Sequence, residues 1–244
     1  MCSKPTTIDE NELEKFDALS GHWWDESGPF KMLHRLNLTR IRYLKKLIKD
    51  HFKKDTSDNT PLKDIKILDV GCGGGLLTEP LFRMGAAVHG IDPSEKNIEI
   101  ARQHAHALNL KIPYHTAPIE ALPDDKTYQV VVALEVVEHL NCPHHFLLEC
   151  HKKLRPGGLL IISTLNRTMR SYLEAIISAE YILSWAPKGT HSWSQFHKPS
   201  ELHNHMKKIG FYDVSFQGLS YAPLQDKWTL SDTLEVNYFA KAVK

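Results

Sequence analysis

The stretch "KILDVGCGGGLLTEP", Lys66–Pro80, decides the fold. Its first residues form a nearly continuous apolar run, which suits a strand buried on both faces rather than one with a wet side. Gly71, Gly73 and Gly75 come next and lead into apolar residues at helical spacing. A bare backbone at such a strand-to-helix junction can turn sharply and let a nucleoside-type ligand approach closely. The dinucleotide fingerprint would place its third glycine at position 76, where Leu76 stands, and this counts against NAD or FAD. The spacing is D-x-G-x-G-x-G, beginning at Asp69.

Downstream, "AAVHGIDPS" puts Asp92 at the end of the next apolar run. A carboxylate there can accept hydrogen bonds from both hydroxyls of a ribose. Apolar runs then continue to alternate with amphipathic helical patterns through "IPYHTA", "YQVVVALE", "PHHFLLECHKKL" and "GLLIIST". That alternation predicts an α/β domain: a mostly parallel sheet covered by helices on both faces. Upstream, Leu13, Phe16 and Leu19 predict one amphipathic helix, and "LNLTRIRYLKKLIKDHF" predicts another. The whole of 1–244 reads as a single domain, with N-terminal helices over about 8–54, a ligand-binding core over about 64–165, a helical insertion over about 166–197 and a C-terminal part over about 198–244.

Composition excludes several classes of partner. Thirty basic residues stand against 29 acidic ones, for a net charge of +1, so no global field favours nucleic acid. Cys2, Cys72, Cys142 and Cys150 form no C-x-x-C pair and no zinc spacing, which suits reduced thiols in a cytosolic compartment. The start "MCSKPTTIDENELEK" is polar and acidic, unlike a signal or transit peptide, and no apolar run is long enough to span a bilayer. The expectation is a cytoplasmic protein, soluble or peripheral on the inner face of a membrane.

"LEVVEHL", Leu134–Leu140, follows the apolar run "YQVVVA". If a helix begins near Glu135, then Glu135, Glu138 and His139 share one face at i, i+3 and i+4. Two carboxylates and an imidazole converging there suit Mg²⁺, Mn²⁺ or Zn²⁺, with coordination positions left open for a substrate. Acids also stabilise a helix N-terminus by its dipole alone. Glu138 or His139 suits direct general-base catalysis equally well.

The glycine loop, Asp92 and the turn "LRPGGLLIIST" together resemble the class I S-adenosylmethionine-dependent methyltransferases. The segments "KFDALSGHWWDESGPFKMLHRLNLTR", "STLNRT", "AEYILSWAPKGTHSW" and "GLSYAPLQDKWTLS" narrow the likeness to the O-methyltransferases of ubiquinone biosynthesis, over nearly the whole chain. The resemblance implies a Rossmann-like fold with a seven-stranded sheet whose last strand, in "LEVNYFAKAV", is antiparallel. It implies S-adenosylmethionine as cofactor, with contacts at Arg40, Gly71, Asp92 and Leu134 beside the Gly73 of the loop. A divalent cation on Glu135, Glu138 and His139 is implied too, magnesium first, with zinc or manganese as alternatives.

Its implied reaction is methylation of hydroxyls on polyprenylated catechol intermediates at two stages, the 2-polyprenyl-6-hydroxyphenol and the 3-demethylubiquinol. The same resemblance suggests a place in a ubiquinone-biosynthesis complex. A phenol with a pKa of about 10, like that of tyrosine, is mostly protonated at neutral pH and a poor nucleophile. Deprotonation or chelation would therefore help. Two alternatives stand beside this activity: an O-methyltransferase for a soluble phenol or carboxylate, and a non-catalytic cofactor-binding subunit.

"RTMRSYLEAIISAEYILSWAPKG" is longer than a compact crossover needs. Tyr172, Leu173, Ile176, Ile177, Tyr181, Ile182, Leu183 and Trp185 are too many apolar groups for one buried stripe, and Arg167, Arg170 and Lys188 flank them. A short apolar helix with basic flanks predicts contact with a membrane surface through about 171–187, or a lid, as a polyprenyl lipid substrate would require. Packing on the sheet or against a second subunit is the plainer alternative. His34 and His191 belong to stretches that carry the resemblance and are candidates to line a substrate site.

Overall fold

The computed structural model describes residues 6–54, 59–172, 193–222 and 225–244. In chain order its elements are α1 (Glu10–Leu19), α2 (Lys31–Phe52), β1 (Lys66–Val70), α3 (Thr78–Arg83), β2 (Ala87–Asp92), α4 (Glu95–Ala107), β3 (Tyr114–Thr116) and β4 (Tyr128–Leu134). Then follow α5 (Pro143–Lys153), β5 (Leu154–Leu165), the single turn α6 (Met169–Ser171), α7 (Pro199–Ile209), β6 (Tyr212–Ala222), β7 (Lys227–Ser231) and β8 (Asn237–Val243).

Strands β1 to β5 pair in parallel, β8 inserts antiparallel between β5 and β6, and the sheet order is β3-β2-β1-β4-β5-β8-β6-β7. Among the described residues this makes eight strands, one more than expected. The additional strand is β7, which pairs antiparallel with β6 at the sheet edge. Its sequence "KWTLS" is short and its alternation half-exposed, so it lacks the continuous apolar signature that marks the central strands.

Side-chain alternation sends the strands into two cores. Val131 and Ala133 of β4 pack with Phe146, Leu147, Leu202 and Met206 of α5 and α7. Val130 and Val132 face the other way, toward Leu44 and Ile48 of α2 and Leu81 of α3. Helix starts follow their cap chemistry: Asp9 accepts from the Asn11 N–H ahead of α1, and Ser94 accepts from the Asn97 N–H ahead of α4. The strand order reverses between β1 and β4, and that switch point, at the carboxyl ends of both, is where an open α/β sheet leaves a crevice.

Cys72 and Cys150 are buried free thiols. Cys142 departs from the expectation of four reduced thiols, because it is disulfide-bonded; pairing depends on spatial approach, which spacing along the chain does not reveal. The apolar part of the insertion, Leu173 to Trp185, and with it Lys188 and His191, lies outside the described residues.

Candidate active site

The crevice at the switch point is a cavity of about 670 Å³. Of the residues singled out in the sequence, Arg40, Gly71, Gly73, Asp92, Leu134, Glu135 and His139 line it. Glu138 does not; it is 2% exposed and sits behind the wall.

At one end stands the glycine loop. Gly71 and Gly73 have φ of 69° and 53°, a left-handed conformation that glycine adopts freely and other residues rarely do. A Cβ on Gly71 would stand 2.6 Å from Val136, and one on Gly73 would stand 2.4 Å from the Trp23 ring. Asp92 accepts the Gly73 N–H at 2.9 Å on one oxygen, and the Ser94 N–H at 2.9 Å and Asn97 Nδ2 at 3.3 Å on the other. Burial raises its carboxyl above the usual range, opposed by those N–H donors. Asp69, at the end of β1, accepts from Thr78 Oγ1 at 2.6 Å, and burial takes it up to about 7.

The roof of this end comes from the N-terminal segment. Trp23 stacks on Phe30 at 4.2 Å between ring centroids and donates Nε1–H to Asn97 Oδ1 at 2.8 Å. Trp24 Nε1 donates to the Gly74 carbonyl at 3.0 Å. These tryptophans and Asn97 were not assigned from sequence; the only local signal was the "HWWD" inside the family-like stretch.

At the other end is the turn after β4. Here the expected shared helix face is corrected: Val137–His139 form one 3-10 turn, and Glu135 precedes it with φ of 55°. A left-handed non-glycine residue breaks the helical spacing, so the three side chains take separate partners. Arg40 Nη2 lies 2.8 Å from Glu135 Oε1, which also accepts from Ser163 Oγ at 2.6 Å. Glu138 Oε2 accepts from Thr164 Oγ1 at 2.9 Å, while its buried Oε1 has no hydrogen-bond partner among the described residues. Burial first, and the neighbouring Glu135 second, push the Glu138 carboxyl well above the carboxylate range. His139 Nδ1 lies 2.7 Å from Glu12 Oε2, a residue of α1. Burial works upward on Glu12, but hydrogen bonds from His139 and Lys15 outweigh it and bring the carboxyl down to about 2.

No group of three or more His, Cys, Asp or Glu among the described residues is placed to hold a metal ion. As arranged here, the donor set of Glu135, Glu138 and His139 does not fit a cation. Arg40 had one sequence signal beyond resemblance: with Leu36, Leu44 and Ile48 it forms the buried i, i+4 stripe of α2, where a charge needs a buried partner.

A family profile described as a methyltransferase domain matches residues 32–215. The ubiquinone biosynthesis O-methyltransferase of Pelagibacter ubique is 47% identical over 98% of this chain and 99% of its own length. The mitochondrial ubiquinone biosynthesis O-methyltransferase of Arabidopsis thaliana is 42% identical over 99% of this chain and 76% of its own length. Among solved structures, magnesium protoporphyrin IX methyltransferase of Synechocystis with bound SAH superposes with a TM-score of 0.66 at 19% identity, over 95% of this chain and 94% of that one, a likeness of fold.

Proposed function

The chain belongs to the O-methyltransferases of ubiquinone biosynthesis, and from that premise we propose how its own residues carry the S-adenosylmethionine-dependent transfer. The carrying observation is one cavity that joins the Gly71–Gly73 loop and Asp92 to Glu135 and His139. Asp92 serves the ribose hydroxyls of the cofactor, and the turn after β4 faces the ring hydroxyl of a polyprenylated catechol.

His139 has its Nδ1 engaged by Glu12, and no described residue bonds Nε2. A catechol hydroxyl placed there gives its proton to Nε2 while its oxygen attacks the methyl carbon in line. The carbon–sulfur bond breaks with its electron pair going to sulfur, and the products are a methyl ether and the neutral thioether. Proton acceptance and fixed approach are the two contributions asked of the protein. Arg40 neutralises Glu135 nearby, so the wall presents little net negative charge to the departing proton. The cation implied by the resemblance finds no fitting donor set in this arrangement, and no step is routed through it.

Membrane contact through about 171–187 is part of the same proposal. Its support is the apolar composition with basic flanks, together with three large, exposed hydrophobics: Met169 before it, Tyr172 at its start and Trp193 after it. No described helix is long and apolar enough to cross a membrane, which suits a surface contact.

Methyl transfer to a short-tailed catechol, run with and without EDTA on the parent and on His139→Ala, tests the assignment. The expected outcome is turnover that survives EDTA and falls on average by about 10²–10⁴-fold in His139→Ala. Turnover abolished by EDTA and restored by Mg²⁺ would return a cation to the site through a rearranged turn.

A further inference from the structure

The cavity continues beyond the residues that serve the cofactor. Sheet order puts Asp92, at the end of β2, and the glycine loop, after β1, on one side of β4, while β5 and then β8 lie on the other. The register aligns Leu134 of β4 with Ser163 of β5, and Leu165 of β5 with Asn237 of β8. Paired residues, and residues two apart along a strand, share a face. Leu134, Leu165 and Asn237 therefore point to the same side of the sheet, the side covered by α2, and all three line the cavity. Around them the lining is apolar, with Leu33 and Leu36 from α2 and Val236 ahead of β8.

Asn237 interrupts that apolar wall. It is only 6% exposed, and its side-chain amide makes no hydrogen bond to any described residue. The other two amides on the lining are engaged: Asn37 Nδ2 donates to the Leu76 carbonyl at 2.7 Å, while Asn97 accepts from Trp23 Nε1 at 2.8 Å and donates to Asp92 at 3.3 Å. A buried amide left unpaired destabilises a protein where leucine, with the same branching, would pack at no such cost. Such a group suits a ligand instead. An amide holds a donor and an acceptor together, so it matches a neutral hydroxyl, which also does both, or a methoxy oxygen, which accepts. Two strand spacings, roughly 10 Å, separate Asn237 from the end of β4, a gap that a substituted ring with oxygens on two sides can bridge. We propose that Asn237 is a specificity-determining residue for methyl transfer: its amide binds a ring oxygen of the catechol other than the one that receives the methyl group. This rests on the substrate class given above, and it holds whichever group activates the reacting oxygen.

The test is a thermodynamic cycle on the full chain in Mg²⁺-containing buffer. Calorimetry on the S-adenosylhomocysteine-loaded protein measures the affinity of a short-tailed catechol, a short-tailed 3-demethylubiquinol, and analogues that each lack one non-reacting ring oxygen. Parent and Asn237→Leu are compared. In the parent, one such deletion in each ring is expected to weaken binding about 10- to 100-fold. In Asn237→Leu the same deletion is expected to cost less than about threefold, because the group that bound the oxygen is gone. Asn237→Leu should also lower kcat/KM for the intact rings about 10- to 100-fold. Its cofactor affinity should stay within about twofold of the parent, and its urea midpoint should lie at or above the parent's, since an unpaired buried amide has been removed.

The proposal is overturned if every oxygen deletion costs the variant as much as it costs the parent, or if Asn237→Leu stays within about threefold of the parent in kcat/KM. A lowered urea midpoint, or cofactor affinity lost along with turnover, equally overturns it, because the amide then serves the fold or the cofactor. The premise fails separately: a parent that transfers no methyl group to either ring has a different substrate, whatever Asn237 does.

Discussion

Asp69 in β1 and Asp92 at the end of β2 flank the glycine loop, both nearly sealed from water, and burial raises both carboxyls, Asp69 to about 7 from 3.8. The sign of the resulting linkage follows from which state holds the proton. Between those two values the folded chain keeps a proton that the unfolded chain has released, so stability of the cofactor-free protein falls as pH rises through that window and flattens above it. Asp69→Asn, which can still accept from Thr78 through its amide oxygen, is expected to flatten that decline between about pH 4 and 7, measured as urea midpoints across pH. Asp92→Ala addresses ligand rather than fold: losing an acceptor for the ribose hydroxyls should weaken S-adenosylmethionine by about 1.5–3 kcal/mol. Calorimetry showing unchanged affinity would take Asp92 out of the site. The position of Asp92, like those of Gly71 and Gly73, was legible in sequence because it is local, a strand end followed by a turn, whereas Asp69 entered only as the start of the glycine spacing. Glu12 was not legible, because its partner lies more than a hundred residues away and nothing on α1 distinguishes it from its neighbours Glu10 and Glu14.

Elements show the same division between what is periodic and what is interrupted. The buried strands and α2 announce themselves by alternation and by an i, i+4 stripe, and they form where expected. The turn after β4 does not, because one left-handed residue, Glu135 at φ of 55°, resets the spacing on which the shared-face expectation depended. The roof over the glycine loop is a contact between elements that sequence spacing cannot express. It makes a clean steric prediction at Gly74, a residue outside the left-handed region, where an added Cβ would meet Trp23 Cβ and Cγ at 2.5 Å. Those atoms lie close to the Trp23 backbone, so the ring cannot simply swing aside. Gly74→Ala is therefore expected to cost about 1–3 kcal/mol in urea unfolding, as overpacking does, and to cost little in a Trp23→Gly background, which removes the Cβ as well as the ring. Additive effects of the two substitutions would show that the tryptophan does not rest on the loop in solution.

For the whole molecule, the substrate sets a physical problem that the catalytic cavity alone does not solve. A polyprenyl tail partitions into a bilayer, and the contact proposed above for the 171–187 segment would bring the ring to the cavity at the membrane surface. Burying several side chains of the 171–187 segment at roughly 1.5–3 kcal/mol each, with about 1 kcal/mol for each basic flank near an anionic surface, would support reversible binding after ordering costs. Ile177→Glu combined with Leu183→Glu is expected to release the protein from anionic liposomes in a sedimentation assay. Turnover of a long-tailed substrate should drop with it, while a short-tailed soluble catechol remains a good substrate, because both substituted positions lie outside the residues proposed to bind the cofactor and carry the transfer. Raised salt supplies an independent arm, since screening weakens a contact that draws on the basic flanks, of which Arg167 and Arg170 pair with Glu201 and Glu235 in the structure, but leaves a purely apolar packing helix in place. Liposome binding by the double variant equal to that of the parent, or equal loss of both activities, would assign the segment to packing within the protein or between subunits, and the lipid would then have to reach the cavity by another face.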